Sequence, residues 1–496
     1  MPLSPHARPS AAHAALGPDL YDPVEPARFP RHDLRFRNDR WAARIGLDAL
    51  TDAEWVAHLG RFEPVPGSME RPLALRYHGH QFRVYNPDLG DGRGFLFAQL
   101  HDLGDGRLLD LGTKGSGQTP WSRGGDGRLT LKGGVREILA TEMLEALGVE
   151  TSKTLSLIET GEDLHRGDEP SPTRSSVLVR LSHSHIRIGT FQRLLYLGDT
   201  AGTARLLDHC IATYLPEARS ESQAERAAAF LEAVCGRVAT MGAQWLAAGF
   251  VHGVLNSDNI NVTGESFDYG PWRFLPALDP RFTAAYFDHG GLYAFGRQHE
   301  ALAWNLTRLA ECLVPVGERG ELQAVLGRFQ DRLHAAFVAA LLRRLGVRSA
   351  GAARDDALMQ AFWSFLGSSG APFERTFYDW YGGAAAAPRA KAGPSGALYE
   401  TAAFAAVRTA LDGFEPVPEA CTDHPYFGRG TACTMLIDEV EALWAPIAER
   451  DDWSAFRNKI ADIREMGRAS GNEPAPPGGP PIRAGGGAGP GQAAGA

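Results

Sequence analysis

The segment His252 to Gly270, HGVLNSDNINVTGESFDYG, constrains this chain more than any other stretch. Asn259 stands seven residues after His252, and Asp268 follows just before Tyr269-Gly270. A loop amide and a strand-end carboxylate in this order are the pair by which phosphoryl-transfer enzymes hold a divalent cation against polyphosphate. The position two after His252, where such loops carry a proton-accepting aspartate, is Val254, which cannot accept a proton. The carboxylate that remains, Asp258, can take that proton if a hydroxyl arrives from another direction. It can equally cap the loop, as Asp often does.

The chain around this loop changes character along its length. Residues 1–30, rich in Pro and Ala, read as a loose leader. Between about 95 and 182 the β-like runs FLFAQLH, RLLDLGT, TLSLIET and SSVLVRL surround one helix-like segment, VREILATEMLEAL. After about 187 the pattern is mostly helical, from FQRLLYLG through AERAAAFLEAVCGRVATMGAQWLAAG to ELQAVLGRFQDRLHAAFVAALLRRLG, and the His252–Gly270 loop interrupts it. The expected class is α+β. A small β-rich lobe with one key helix, residues 31–185, precedes a larger helical lobe, residues 186–470, in the order of a protein-kinase-like two-lobed fold, with the hinge after Leu181. AAAAPRAKAGPSGA, residues 384–397, reads as a surface loop. The tail 471–496 has too few apolar side chains to pack and is expected to be disordered.

A net charge of -9 over 496 residues argues against bulk nucleic-acid binding, which depends on clustered Lys and Arg. An anionic ligand must therefore meet a local basic site. No run of about eighteen apolar residues is present, so no membrane partner is expected. The first residues lack the apolar core and cleavage pattern of a secretory signal. Five cysteines with no C-x-x-C pair fit a reducing cytosol. A monomer is expected.

Candidates for the basic site lie in NPDLGDGRGFLF and LGTKGSGQTPWSRGGDGR. Glycines there let backbone N–H groups approach a phosphate, with Arg93 or Lys114 to neutralise it. Neither cluster spells a known phosphate loop, and each alone is more often a tight turn. Lys114 follows a strand-like run, and Glu137 opens the helix of the same lobe, so the two can pair as a strand lysine and helix glutamate do in kinases. Arg180 alternates with Val177, Val179 and Leu181 in a run that reads as buried, so something anionic should face it. An internal salt bridge and a phosphate clamp, with Arg187 as second member, suit it equally. His183 and His185 read as structural.

Taken together, GHQFRVYNPDLGDGRG, LGTKGSGQTPWSRGGDGR, REILATE, SHIRIGTF and HGVLNSDNINVTGESFDYGPWRFL resemble the selenoprotein O (SelO) family, from about Tyr77 to Leu275 and again in WNLTRLAECL. The resemblance implies a kinase-like (pseudokinase) fold that binds ATP in a flipped orientation. It would transfer AMP rather than the γ-phosphate to Ser, Thr or Tyr hydroxyls of other proteins, releasing diphosphate with Mg²⁺ or Mn²⁺. Residue by residue, it implies nucleotide contacts from Gly90, Gly92, Arg93, Lys114, Asp126, Gly127, Arg180 and Arg187, with Glu137 orienting Lys114. Asp258 would accept the proton, and Asn259 and Asp268 would hold the metal, Asp268 facing the nucleotide as well. Arg83 and Asp88 depart from the Gly and Gln expected there, the likeness fades beyond about Gly346, and the family's C-terminal Cys or selenocysteine has no counterpart in AGPGQAAGA. Cys421 and Cys433 are expected to be buried free thiols. A phosphotransferase using Asp258 as a displaced base, and a nucleotide-binding pseudoenzyme, remain the competing readings.

Overall fold

A computed structural model describes residues 3–167, 169–418 and 420–473. Its first half is built on one nine-stranded antiparallel sheet. The order across it is Tyr21–Pro23, Leu73–Leu75, Leu96–His101, Leu108–Lys114, Thr173–Ser182, Lys153–Leu164 and Asp33–Arg37, with Pro9–Ser10 on Leu96–His101 and Leu129–Thr130 on Thr173–Ser182. Strand alternation sorts the two faces of Thr173–Ser182. Val177, Val179 and Leu181 join a core with Trp41 and Trp55 from the helices Asp39–Ile45 and Asp52–Leu59. Leu178 faces the opposite core with Ile138, Leu139 and Met143 of the helix Leu131–Ala146. That helix starts where Thr130 Oγ1 accepts the Gly133 N–H at 3.1 Å. It lies close to the sheet because Gly134 has no side chain: a Cβ there would come within 2.4 Å of Leu157 Cδ1.

The helical half is centred on Gln223–Ala248, which packs along Phe329–Arg344 and ends at Gly249 in the left-handed region, φ 63°. The chain then forms a two-stranded ladder, Phe250–Val251 with Arg273–Phe274, and the loop of interest is everything between those strands.

Four expectations need correction. Residues 3–30 are not a loose leader: Pro9 pairs with Leu100, Tyr21 with Leu75, and Leu16 and Leu20 are buried, because a few apolar contacts suffice once a sheet edge offers partners. Among the described residues the sheet half holds three α-helices, not one, since Asp39–Ile45 and Asp52–Leu59 cover the second face of the sheet. The helical half does not keep all of 186–470 to itself. The helix Ser454–Ala469 returns to pack on Leu131–Ala146, where Arg464 donates to both Glu142 oxygens at 2.8 and 2.7 Å. Residues 384–397 form short helical turns, Ala387–Ala392 and Gly396–Tyr399, with Ala390 buried, because alanine favours helix wherever a core lies beneath it. The expected disorder of the tail falls on residues 474–496, outside the described residues. Among the described residues, no helix is long and apolar enough to cross a membrane.

Candidate active site

The loop is anchored before it is functional. The buried His252 donates its backbone N–H to Gln298 Oε1 at 3.0 Å, and its ring Nε2 lies 2.9 Å from the Phe267 carbonyl, so one residue anchors the start of the loop and ties it to the far end. Asn261 forms a bridge with Arg187, and Ile188 N–H donates to the Ile260 carbonyl at 2.9 Å. These backbone contacts lay SHIRIG along DNINV. They explain why two segments far apart in sequence supply one site.

Lys114 ends its strand with Nζ 2.6 Å from Glu137 Oε2 and 3.1 Å from Asp268 Oδ1. Arg180 Nη1 reaches the same two acids, Glu137 Oε1 at 3.3 Å and Asp268 Oδ1 at 3.3 Å. The internal salt bridge open for Arg180 is present, and its two acids are the ones that also take Lys114. Burial works against the Asp268 carboxylate, but Lys114, Arg180, Arg187 and Arg93 outweigh it and hold its pKa well below the usual range. Asp268 also adopts φ 63°, a conformation costly for a residue with a side chain and kept here by those contacts.

Arg187 is buried between the rings of Tyr77 and Phe267. It donates to the Asp258 carbonyl at 2.9 Å and to Asp91 Oδ1 at 3.2 Å, while its Nε has no partner. The Asp258 side chain is buried with Oδ1 unpartnered, and Gly79 backs directly onto it: a Cβ at Gly79 would stand 3.0 Å from that oxygen. Burial raises the Asp258 pKa to about 6 against the pull of Arg187. An unpaired buried carboxylate is costly in a purely structural role. Asn259 donates its amide nitrogen to the Val254 carbonyl at 3.0 Å, which turns its oxygen the other way.

The structure therefore groups Lys114, Glu137, Arg180, Arg187, Asp258 and Asp268, with Asn259 next to Asp258 in the chain and bonded to Val254. The glycine clusters fare differently. Gly90 and Gly92 pack against Trp121, where a Cβ would come within 2.4 Å of the ring and 2.8 Å of the carbonyl respectively. Arg93, which follows Gly92, is exposed and acts on Asp268 through charge. Gly127 is pressed on Gly117, and the exposed Asp126 carries an ion pair to Arg166 at 2.8 Å. Among the described residues, no contact brings Asp126 or Gly127 into the buried group.

Three contributors escaped the sequence reading. Asp91 pairs with Arg187, and its one trace in the sequence is an acid set between glycines. Tyr77 stacks on Arg187 without any sequence signal. Behind Arg180 runs a buried chain: its Nε donates to His185 Nε2 at 3.4 Å, His185 Nδ1 meets Asp110 Oδ2 at 3.1 Å, and Gln99 donates to Asp110 Oδ1 at 2.7 Å. His185 fits because it lies over Gly112, where a Cβ would come within 2.2 Å of the ring. The structural expectation for His185 thus acquires a position in the site. Arg83 caps a hairpin turn with its guanidinium over Trp304, and the Asp88 N–H donates to Asn86. Cys433 is buried as expected, but Cys421 is exposed, since it precedes a turn at the surface.

The lysine–glutamate pair, paired arginines and carboxylate loop meet here in one buried site, and sequence comparison gives it a class. The family model described as "Protein adenylyltransferase SelO" matches residues 6–393, well past Gly346 where the motif likeness fades. Proteins named "Protein nucleotidyltransferase YdiU" from Synechocystis sp. and Gloeobacter violaceus are 43% and 45% identical, covering 91% and 92% of this chain and 96% and 94% of their own lengths. A third, from Synechococcus elongatus, is 53% identical over 68% of this chain and 67% of its own. The class is nucleotidyltransferase. The chain belongs to the SelO family of protein adenylyltransferases.

Proposed function

We propose that this chain moves AMP from ATP to a Ser, Thr or Tyr hydroxyl of protein substrates with Mg²⁺ or Mn²⁺, acting as a monomer on a kinase-like two-lobed fold. The observation that carries the reading is Val254 in the base position beside Asp258, a buried carboxylate with an unpartnered oxygen. In the transfer, the acceptor oxygen bonds to the α-phosphorus, its proton passes to Asp258, and the α–β phosphoanhydride breaks. Diphosphate leaves with both electrons of that bond. Lys114 and Arg180, positioned by Glu137, stabilise its growing charge, and Arg187 fixes the Asp258 backbone and adds a third cation. Gly90, Gly92, Arg93, Asp126 and Gly127 complete the nucleotide contacts, with the exposed Arg93 adding positive charge toward Asp268.

The donor set fits a hard divalent cation: Asn259 has its amide nitrogen committed to Val254, and Asp268 is a carboxylate held ionised. Asn259 and Asp268 would hold the ion, and it would supply neutralisation of phosphate charge. Among the described residues no group of three or more His, Cys, Asp and Glu side chains suits a metal, so the remaining ligands would be phosphate and water oxygens.

Intact-mass measurement after incubation with ATP and either metal, together with generic acceptor proteins, tests this. A gain of one AMP, with label from α- but not γ-labelled ATP, is expected, and Asp258→Asn should remove it. A phosphate-sized gain would establish the phosphotransferase instead, and ATP-dependent thermal stabilisation with neither gain the pseudoenzyme.

A further inference from the structure

Among the described residues, the large apolar side chains left exposed are Val84, Leu195, Tyr196, Leu197, Tyr286 and Phe287. They are not scattered. The Tyr85 ring stacks on Tyr196 at 5.5 Å, Phe82 meets Phe287 at 5.8 Å, and Tyr286 lies 5.1 Å from Phe287. Three segments, the hairpin Gly79–Asn86, the end of the helix Ile188–Tyr196 and the 286–287 loop, therefore present one ridge. A contiguous apolar surface of this kind on a chain that is otherwise well covered marks a contact site.

The ridge is continuous with the candidate base. His80 N–H donates to Ser257 Oγ at 2.7 Å, Phe82 N–H donates to Asn256 Oδ1 at 3.0 Å, and Gly79 abuts Asp258 Oδ1. The helix that ends in Tyr196 begins at Arg187, on the Asp258 carbonyl. The hairpin tip is also strained: Phe82 and Arg83 both take positive φ, 49° and 65°, in a turn that favours Asn-Gly. Asn256 and the rings of Tyr293 and Trp304 hold it there. A bulky strained turn, fixed on the loop of Asp258 with Val84 exposed beside it, belongs to a binding surface rather than to fold stability.

We infer that this ridge docks the acceptor polypeptide, and that it selects hydroxyls flanked by leucine- or phenylalanine-type side chains. The inference rests on the AMP-transfer reading, because that reading requires the acceptor hydroxyl to arrive at Asp258. The occupant is an extended segment of another protein: its hydroxyl enters beside Gly79 while its flanking residues lie across Tyr196 on one side and Tyr286 on the other.

The test uses the full chain and short fluorescein-labelled peptides with one central Ser, identical except for Leu and Phe, Glu, or Lys at the flanking positions. Both anisotropy and AMP incorporation are read. The changes Val84→Glu, Tyr196→Glu and Tyr286→Ser act on side chains that are 70%, 61% and 78% exposed, so folding and the ATP-induced thermal shift should hold. The apolar-flanked peptide should bind best, and each change should weaken its binding and raise its KM by about tenfold, as loss of an interface aromatic does, with kcat little altered. Equal binding of all three peptides, or variants that leave the preference intact, would overturn the inference. So would a concentration-dependent dimer that the variants abolish without changing peptide affinity, since the ridge would then serve a second copy. If no AMP is transferred to any acceptor, the transfer reading fails while anisotropy still decides the ridge.

Discussion

Two buried clusters of charge sit on the same helix, Leu131–Ala146, and they are built differently. Toward its C-terminal end, Glu142 takes Arg464 on both oxygens and Arg40 at 3.0 Å, and Glu145 takes Arg40 at 2.8 Å and the Trp41 indole N–H at 2.9 Å. Both oxygens of both acids are engaged. Near its start, Glu137 joins a group in which Lys114 and Arg180 are shared with Asp268 at 3.1 and 3.3 Å, and neighbouring Asp258 keeps an oxygen without a partner. The first cluster engages all four of its carboxylate oxygens, although Arg40 Nε is buried without a partner, and fastens the C-terminal helix to the sheet unit. The second leaves capacity for a ligand, the signature of a site rather than a strut.

Asp268→Asn should separate the two most sharply. AMP transfer should drop about a thousandfold, as when a preorganised electrostatic group is lost, with the thermal midpoint held or raised. A comparable loss of stability would place Asp268 in the same structural category as Glu142. Glu142→Ala should behave in reverse and cost about 3 kcal/mol in chemical denaturation by stranding Arg464 and Arg40, while the rate per folded molecule at 25 °C survives. Arg180→Lys should lower kcat/KM for ATP by roughly a hundredfold, because a point charge cannot span Glu137 and Asp268 while taking the His185 nitrogen. The same change at Arg464 should shift stability by only about 1 kcal/mol.

The smallest effect is on pH. Burial raises the Glu145 pKa, but Lys153, Arg40 and the Trp41 indole overcome it and hold the group below its ordinary 4.5. A carboxyl with a depressed folded pKa stabilises the fold above its unfolded value, and that contribution is lost as pH falls through the folded one. Unfolding midpoints measured downward from pH 5 should therefore fall more steeply for the native chain than for Glu145→Gln. Parallel curves would show that the cluster is not closed.

Much of the site was legible because its chemistry needs particular residue types at short spacing. Asn259 and Asp268 share one loop, and the arginine in VLVRL was conspicuous because a guanidinium seldom follows buried valines without a partner. The paired ligand Asp91 and the stacking ring of Tyr77 were not legible. Each works through a partner about a hundred residues away, and an aspartate between glycines looks the same whether it turns a loop or holds Arg187. The glycines are ambiguous for the same reason. Gly90, Gly92 and Gly127 read as tight turns or phosphate cradles, and each sits where a neighbouring ring or backbone leaves no room for a Cβ, a packing that suits either role.

By itself the sequence determined the α+β character, the helical second half, the Lys114–Glu137 pair, the place of Asn259 and Asp268 in one loop and the apolar side chain at Val254, because periodicity and local spacing are properties of adjacent residues. Only the tertiary structure decided that Pro9–Ser10 and Tyr21–Pro23 enter the sheet, that the helix Ser454–Ala469 returns to grip Glu142, and that the Gly79–Asn86 hairpin sets Gly79 against Asp258. Each depends on contacts between parts of the chain whose separate preferences say nothing of one another, and those contacts exist only once the sheet and the long helix have fixed the distance between them.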